Sequence, residues 1–232
     1  MRKILTKLLA KAGYGVYRIN QRQANLYSHY DVSHVLDVGA NTGQFGIWLR
    51  NHVGYAGEII SFEPLHSAFQ LLEAATKKDP HWQAVNCGLG DKKGTLDINI
   101  SDNSVSSSFL PMAQACESAA PDSRYVSQQA ARVEILDDIF HTYCIGPKSV
   151  YLKIDAQGFE KQVLDGAKNV LPHIDTVELE LSLTTLYEGQ VLFREMYEFM
   201  CDHGYELVAI EPEFWDPSTG VLLQVNAVFH RP

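Results

Sequence analysis

The chain has 232 residues, 46% hydrophobic and 10% aromatic, which suffices for one α/β domain with a full core and excludes a disordered protein. Its four cysteines (Cys87, Cys116, Cys144, Cys201) are widely spaced without a C-x-x-C pair. That spacing argues against a zinc site or disulfide framework and fits reduced thiols in the cytoplasm. The net charge of −9 disfavours sequence-independent nucleic-acid binding, because a polyanion is repelled.

The charge is uneven from the first residues onward. Residues 1–30 carry six Lys or Arg and no acid, so the remainder carries −15. Leu5, Leu8, Leu9 and Ala12 fall at helical spacing on one face, with Arg2, Lys3, Lys7 and Lys11 around the other. Such a basic amphipathic segment suits either of two uses. It can lie on an anionic membrane surface through residues 1–22, or it can cover the domain that follows from residue 31. No apolar run reaches membrane-spanning length, and no signal peptide with a clean apolar core is visible.

The run HVLDVGANTGQFGIWLR at 34–50 is a predicted strand, glycine-punctuated turn and amphipathic helix. Free backbone N–H groups at such a turn make a ligand site, and glycines let the ligand come close. A dinucleotide site wants G-x-G-x-x-G, but Asn41 occupies the second glycine position and would meet a pyrophosphate. The pattern D-x-G-x-N-x-G instead resembles the first motif of class I S-adenosylmethionine-dependent methyltransferases. In that resemblance Asn41 and the turn's N–H groups bind the carboxylate of the cofactor, and Asp37 supplies charge near its ammonium and sulfonium. A purely structural βα turn is the bland alternative.

EIISFEP at 58–64 reads as a second strand ending in Glu63, placed to accept two ribose hydroxyls, with Pro64 stiffening the loop beside the adenine. Glu63 equally suits a cap for the helix predicted over 65–77. Further along, WQAVNC (82–87) is a strand, TLDINIS (95–101) a hairpin-like extension, and 102–125 a loop or lid. ARVEIL (131–136) is a short strand, followed by a short helix from Asp137. SVYLKID (149–155) is a buried strand with a helix from about Gly158 to Lys168. TVELELSL (176–183) is a strand, 192–203 a helix, and YELVAIEP and VLLQVNAVFH close the chain as a strand pair without an intervening helix. Strands that alternate with helices imply a parallel sheet, and the terminal pair must be antiparallel. The expected fold is therefore α/β and Rossmann-like, with seven mostly parallel strands, the last reversed, and helices on both faces.

DVGANTGQFG, SFEP, NCGLGD, the serines at 106–108 and LKIDAQGFEKQVLDGA (152–167) together resemble the FkbM family of methyltransferases over roughly residues 34–230. The resemblance implies an S-adenosyl-L-methionine-dependent O-methyltransferase, with a sugar hydroxyl in a polysaccharide, glycolipid or glycosylated precursor as acceptor. A small natural product of polyketide type, or a non-catalytic cofactor-binding protein, is the alternative. By position, Asp37, Gly39, Asn41 and Gly43 would hold the methionine portion. Glu63 would hold the ribose, Asn86 and Leu89 would approach the adenine, and Ala40, Phe45, Pro64 and Ser107 would complete the cofactor set. The family often has Glu where this chain has Gln157, an amide that keeps an acceptor but loses a charge.

Attack by a protonated alcohol calls for a base or a metal. Asp155, at the end of a central strand, is the first choice for the base, with a cofactor contact or a helix cap as its other readings. Glu178 and Glu180 alternate with apolar residues and point the same way. Glu180 can join Asp155 around a hydroxyl or a divalent ion, although two acids define no metal site and solvation on a strand face accounts for them more simply. His66 is a candidate base or a solvated helix residue. Tyr187 and Trp215 are candidates to stack on a sugar, or to pack.

Overall fold

The computed structural model describes residues 21–232. The basic helix expected around Leu5, Leu8, Leu9 and Ala12 lies outside the described residues. In chain order the elements begin α1 (Gln21–His29), β1 (His34–Val38), α2 (Gln44–Trp48), β2 (Glu58–Phe62), α3 (His66–Thr76), β3 (Trp82–Val85), β4 (Gly88–Leu89) and β5 (Gly94–Ser101). They continue α4 (Gln114–Ala119), β6 (Tyr125–Glu134), α5 (Leu136–Tyr143), β7 (Val150–Ile154), α6 (Glu160–Asp165), β8 (Thr176–Ser182), α7 (Phe193–Asp202), β9 (Glu206–Trp215) and β10 (Leu222–His230).

Seven strands form the main sheet in the order β3-β2-β1-β7-β8-β10-β9. The pairs from β3 through β8 are parallel, and β10 runs antiparallel to both β8 and β9. This is the expected sheet, with the reversed last strand inserted one place in from the edge. The order turns back between β1 and β7, and in open α/β sheets the crevice at that point receives the ligand.

The two faces of the sheet differ. Leu36, Val38, Ile60, Phe62, Leu152, Ile154, Val177, Leu179 and Leu181 alternate onto one face and are buried with Phe140, Val163, Leu164, Met196 and Met200 of α5, α6 and α7. On the other face Val35, Ile59, Tyr151 and Val228 pack under α1 to α3 through Tyr27, Leu72 and neighbouring side chains. Tyr27 stacks on Tyr151 with ring centroids 4.8 Å apart, which fixes α1 to the sheet. Along this second face, register sets Ser61 beside Asp37, Asp37 beside Lys153, and Lys153 beside Glu178. One buried row therefore carries polar groups across four strands.

Three expectations change. The short strand at 131–136 is a ten-residue strand, Tyr125–Glu134, paired antiparallel with β5 and parallel with β4 in a separate three-stranded sheet. Its first half, YVSQQA, is mostly exposed and carries little apolar patterning to announce it. The 102–125 segment is ordered by packing: Cys116 and Ala119 of α4 are buried with Leu186, Tyr187 and Leu223. The helix predicted over 158–168 is confined to Glu160–Asp165, because Gly158 (φ +95°) and Gln157 (φ +51°) form a left-handed turn before it.

Candidate active site

The turn after β1 is built by backbone constraint. Gly39 has φ +79°, and a Cβ there would lie 1.8 Å from the Asp155 carbonyl oxygen, so the β1 and β7 turns touch only because residue 39 lacks a side chain. The Gly39 and Ala40 N–H groups donate to Phe62 O, and the Asp155 N–H donates to Val38 O. Asn41 also has positive φ (+47°), a conformation Asn tolerates. Its N–H donates to Glu63 Oε2 at 2.7 Å, and its Nδ2 donates to Ser104 Oγ at 3.3 Å. Residue 41 thus ties the β2 acid and the 102–108 segment to one turn.

Above these turns lies a cavity of about 760 Å³. Asp37, Gly39, Ala40, Asn41, Phe45, Glu63, Pro64, Leu89, Ser107, Asp155 and Glu180 all line it, so one space receives most of the expected site residues. Two expected cofactor residues stand behind the wall. A Cβ on Gly43 would meet Leu72 and Trp82, so the glycine admits close packing there and does not line the cavity. Asn86 donates from Nδ2 to the carbonyl oxygens of Glu63 and Pro64 and braces the loop that carries Glu63.

Glu63 is buried, and its two oxygens accept N–H bonds from Asn41 and from Leu65, both 2.7 Å. It caps the local backbone and lines the cavity at once, as each oxygen keeps a second lone pair. Burial pushes its pKa up to about 7, against the two N–H bonds that favour its charge. Asp37 is fully buried; Oδ2 accepts the Ser61 hydroxyl at 3.0 Å, while Oδ1 has no hydrogen-bond partner and lies 3.9 Å from Lys153 Nζ. Burial raises its pKa, opposed by Lys153 and Ser61. Ser107 Oγ accepts the Ser101 N–H, which sets the loop over the cavity.

Several residues of the site were not anticipated. Lys153 Nζ lies 3.2 Å from Asp155 Oδ2 and 5.1 Å from the Phe45 ring centroid. Burial disfavours its charge, but Asp155, Asp37 and Glu178 outweigh burial and raise its pKa. The signal was present as a lone lysine inside the apolar strand VYLKI, since a buried strand position holds a charge only when paired. Glu178, whose burial raises its pKa, accepts the Tyr151 hydroxyl. Glu178 and Glu180 do share a face, as the alternation required, but both are buried and line the cavity, which overturns solvation. Glu180 Oε2 accepts from Gln157 Nε2 (2.7 Å) and Gln224 Nε2 (2.9 Å). Burial, then Asp155 and Glu160, hold its pKa well above the usual range.

Tyr187 is 1% exposed and donates its hydroxyl to Gln157 Oε1 at 2.6 Å, so its ring packs and is not free to stack on a sugar. Trp215 is 52% exposed and does not line the cavity; its neighbour Phe214 does. His66 bonds Gln70 on the surface of α3, also away from the cavity.

The cavity's lining has a polarity. Pro64, Leu65, Leu89, Ile98, Phe109 and Phe159 make an apolar slot, with Phe109 and Phe159 centroids 5.2 Å apart. Glu180, Glu213, Gln224 and Asn226 make the polar end. Among the described residues six carboxylates line the cavity against one ammonium, Lys153. Such a wall suits a ligand that is cationic at one point and flat and apolar at another.

The fold and this site define a class I methyltransferase. The profile of the Methyltransferase FkbM domain matches residues 37–207, and the chain belongs to that family. Among solved structures, the chain is similar to the FkbM methyltransferase of Methylobacillus flagellatus KT, with 15% identity and TM-score 0.53, covering 85% of this chain and 44% of that one. It is also similar to TehB of Haemophilus influenzae, with 10% identity and TM-score 0.50, covering 98% of this chain and 67% of that one. An uncharacterized protein of Listeria monocytogenes serotype 4b matches at 7% identity and TM-score 0.51, covering 92% and 68%. At these identities the likeness concerns the fold, and the chain spans less than half the length of the Methylobacillus protein. No curated protein matches the sequence.

S-adenosyl-L-methionine is the cofactor of this family, and the residues present fit it. Asp37 Oδ1, buried and without a hydrogen-bond partner, suits the ammonium. Glu63 suits the ribose hydroxyls, and the apolar slot beside Pro64 and Leu89 suits the adenine. Among the described residues no group of three His, Cys, Asp or Glu side chains is arranged to hold a metal ion, and no helix is long and apolar enough to cross a membrane.

Proposed function

We propose that this chain transfers the methyl group of S-adenosyl-L-methionine to a hydroxyl of a sugar in a polysaccharide, glycolipid or glycosylated precursor. The observation that carries the reading is the continuity of one cavity. It runs from the cofactor turn at Gly39 to the Asp155–Glu180 pair, joined by Gln157, and onward to Glu213, Gln224 and Asn226. A polyhydroxylated acceptor fits that hydrogen-bonding end better than an apolar polyketide.

The bound cofactor supplies an electrophilic methyl group. The residues of the chain orient the acceptor and hold the proton it loses. An aligned hydroxyl within about 3 Å of the methyl carbon accounts for much of the rate. Between the two candidate bases, Asp155 is committed to Lys153 and Gln157. Glu180 is held above its usual pKa by burial and by Asp155, so its ionised form is a stronger base toward a hydroxyl proton than an ordinary carboxylate. Gln224 and Gln157 both bond its Oε2, so Oε1 takes neither amide. The acidic lining disfavours phosphate-bearing acceptors and nucleic acid. Reduced cysteines fit a cytoplasmic setting.

The test is transfer of radiolabelled methyl to a panel of neutral glycans, glycolipids, phosphosugars and polyketide alcohols. Label that enters neutral glycans, and is lost with Glu180→Gln, supports the reading. Transfer to the polyketides alone, or cofactor binding without turnover of any acceptor, overturns it.

A further inference from the structure

Gln157 sits where the site is most crowded with negative charge. Its Nε2 lies 2.8 Å from Asp155 Oδ1 and 2.7 Å from Glu180 Oε2, and its Oε1 accepts the Tyr187 hydroxyl. The partners fix the orientation of the amide, because the Asp155 and Glu180 oxygens accept from its N–H groups and the Tyr187 O–H donates to its oxygen. Its carbonyl oxygen accepts the Ser108 hydroxyl at 2.7 Å, and its backbone is left-handed at φ +51°. A non-glycine residue in that conformation is uncommon and strained, so the surrounding contacts must hold it. One residue, through its side chain and its backbone carbonyl, therefore joins the end of β7, β8, the loop after β8 and the segment over the cavity.

We infer that Gln157 is a positioning residue whose two amide hydrogens hold Asp155 and Glu180 side by side, in the place where a cation would otherwise balance them. The inference rests on the same acid pair that the proposed function assigns to the acceptor. Charges facing the pair come from every neighbouring element: Lys153 of β7, Glu178 of β8, Glu160 of α6 and Glu213 of β9, with Tyr187 from the loop. Only Lys153 is cationic, and it contacts Asp155, not Glu180. Among the described residues the amide is thus the one hydrogen-bond donor that both acids share.

The proposal makes the cost of replacing Gln157 depend on pH. Gln157→Glu is nearly isosteric and turns the shared donor into a third carboxylate. Its folded-state pKa is raised by its neighbours, so the folded form binds a proton that the unfolded form has released, and stability is lost as pH rises through that pKa. Gln157→Leu keeps the bulk and leaves the two acids apposed, with the same sign.

The experiment is thermal unfolding of wild type, Gln157→Glu and Gln157→Leu at pH 5.5 and pH 8, each with and without 1 mM manganese chloride. At pH 8 the Glu variant should melt roughly 5 °C or more below wild type, and at pH 5.5 by less than half that difference. Manganese should recover part of the loss at pH 8 for Gln157→Glu and leave wild type unmoved. A variant folded at pH 5.5 and unfolded at pH 8 gives the same support. A loss equal at both pH values in both variants, or no loss at all, overturns the proposal and leaves Gln157 as a filler of the turn. Titration of S-adenosylhomocysteine into wild type separates the two readings: no binding would sink the methyltransferase assignment while the melting comparison stood.

Discussion

The two faces of the main sheet are made from the same strands and do opposite work. On the face under α5, α6 and α7, Leu36, Leu152, Ile154, Val177 and Leu179 form a dry core. On the other face the same alternation places Ser61, Asp37, Lys153 and Glu178 in one row, with Asp155 and Glu180 two residues further along their strands. A strand has only two sides, so a site that needs charge at the strand ends begins as charge inside the sheet. The polar face costs desolvation, which its own ion pairs and hydrogen bonds offset. The apolar face supplies the burial that holds both.

The sharpest way to break that comparison is to unbalance the polar row. Lys153→Met leaves Asp37, Asp155 and Glu178 without their cation and should destabilise the protein by about 3–5 kcal/mol at pH 8. The deficit should narrow toward pH 5, because acids deprived of the lysine have raised pKa values and the folded state then keeps protons that the unfolded state has lost. A deficit that does not vary with pH, measured by denaturant titration, would show that packing and not charge is at stake.

The matching change on the apolar face is Leu152→Ala, expected to cost about 2–5 kcal/mol through lost burial and a residual cavity. S-adenosylhomocysteine affinity by calorimetry should stay within threefold of wild type at a temperature where the variant is folded. Asp37→Ala should do the reverse to binding and weaken S-adenosylhomocysteine by about a hundredfold, or roughly 2.7 kcal/mol. Retained affinity in that variant would remove Asp37 from the cofactor site.

A smaller effect tests Glu63. Its pKa of about 7 lies above the ordinary carboxylate value, so the unliganded protein loses stability as pH rises from about 4.5 to about 7. Cofactor hydroxyls need the ionised form. Affinity should therefore fall as pH drops below about 7, by up to about tenfold per pH unit. Glu63→Gln should bind weakly with no such slope. Trp215→Ala should change stability by no more than about 0.5 kcal/mol, since the ring is half exposed and outside the cavity.

Much of the site was legible because its residues sit close along the chain. Asp37, Gly39, Ala40 and Asn41 lie on one strand and its turn, and Glu63 ends the next strand, so local pattern was enough. Gly43 and Asn86 stand behind the cavity wall, because position in a motif does not say which way a residue faces. Trp82 and Leu72 occupy the space beside Gly43, and the Asn86 amide turns back to the Glu63 loop. Tyr187 was read as a rim aromatic, but α4 and Leu223 close over its ring, which leaves its hydroxyl to Gln157.

By itself the sequence determined the alternation of strands and helices, the reversed final pair, the cofactor turn and the family. Each of those is a matter of local periodicity or of residues near one another in the chain. The tertiary structure alone decided which charges meet. Lys153 lies 116 residues from Asp37, and Glu180 lies 23 from Gln157 and 44 from Gln224. They become neighbours only because the sheet's register, parallel from β1 through β8 and antiparallel at β10, sets distant segments side by side, and no local pattern carries that register.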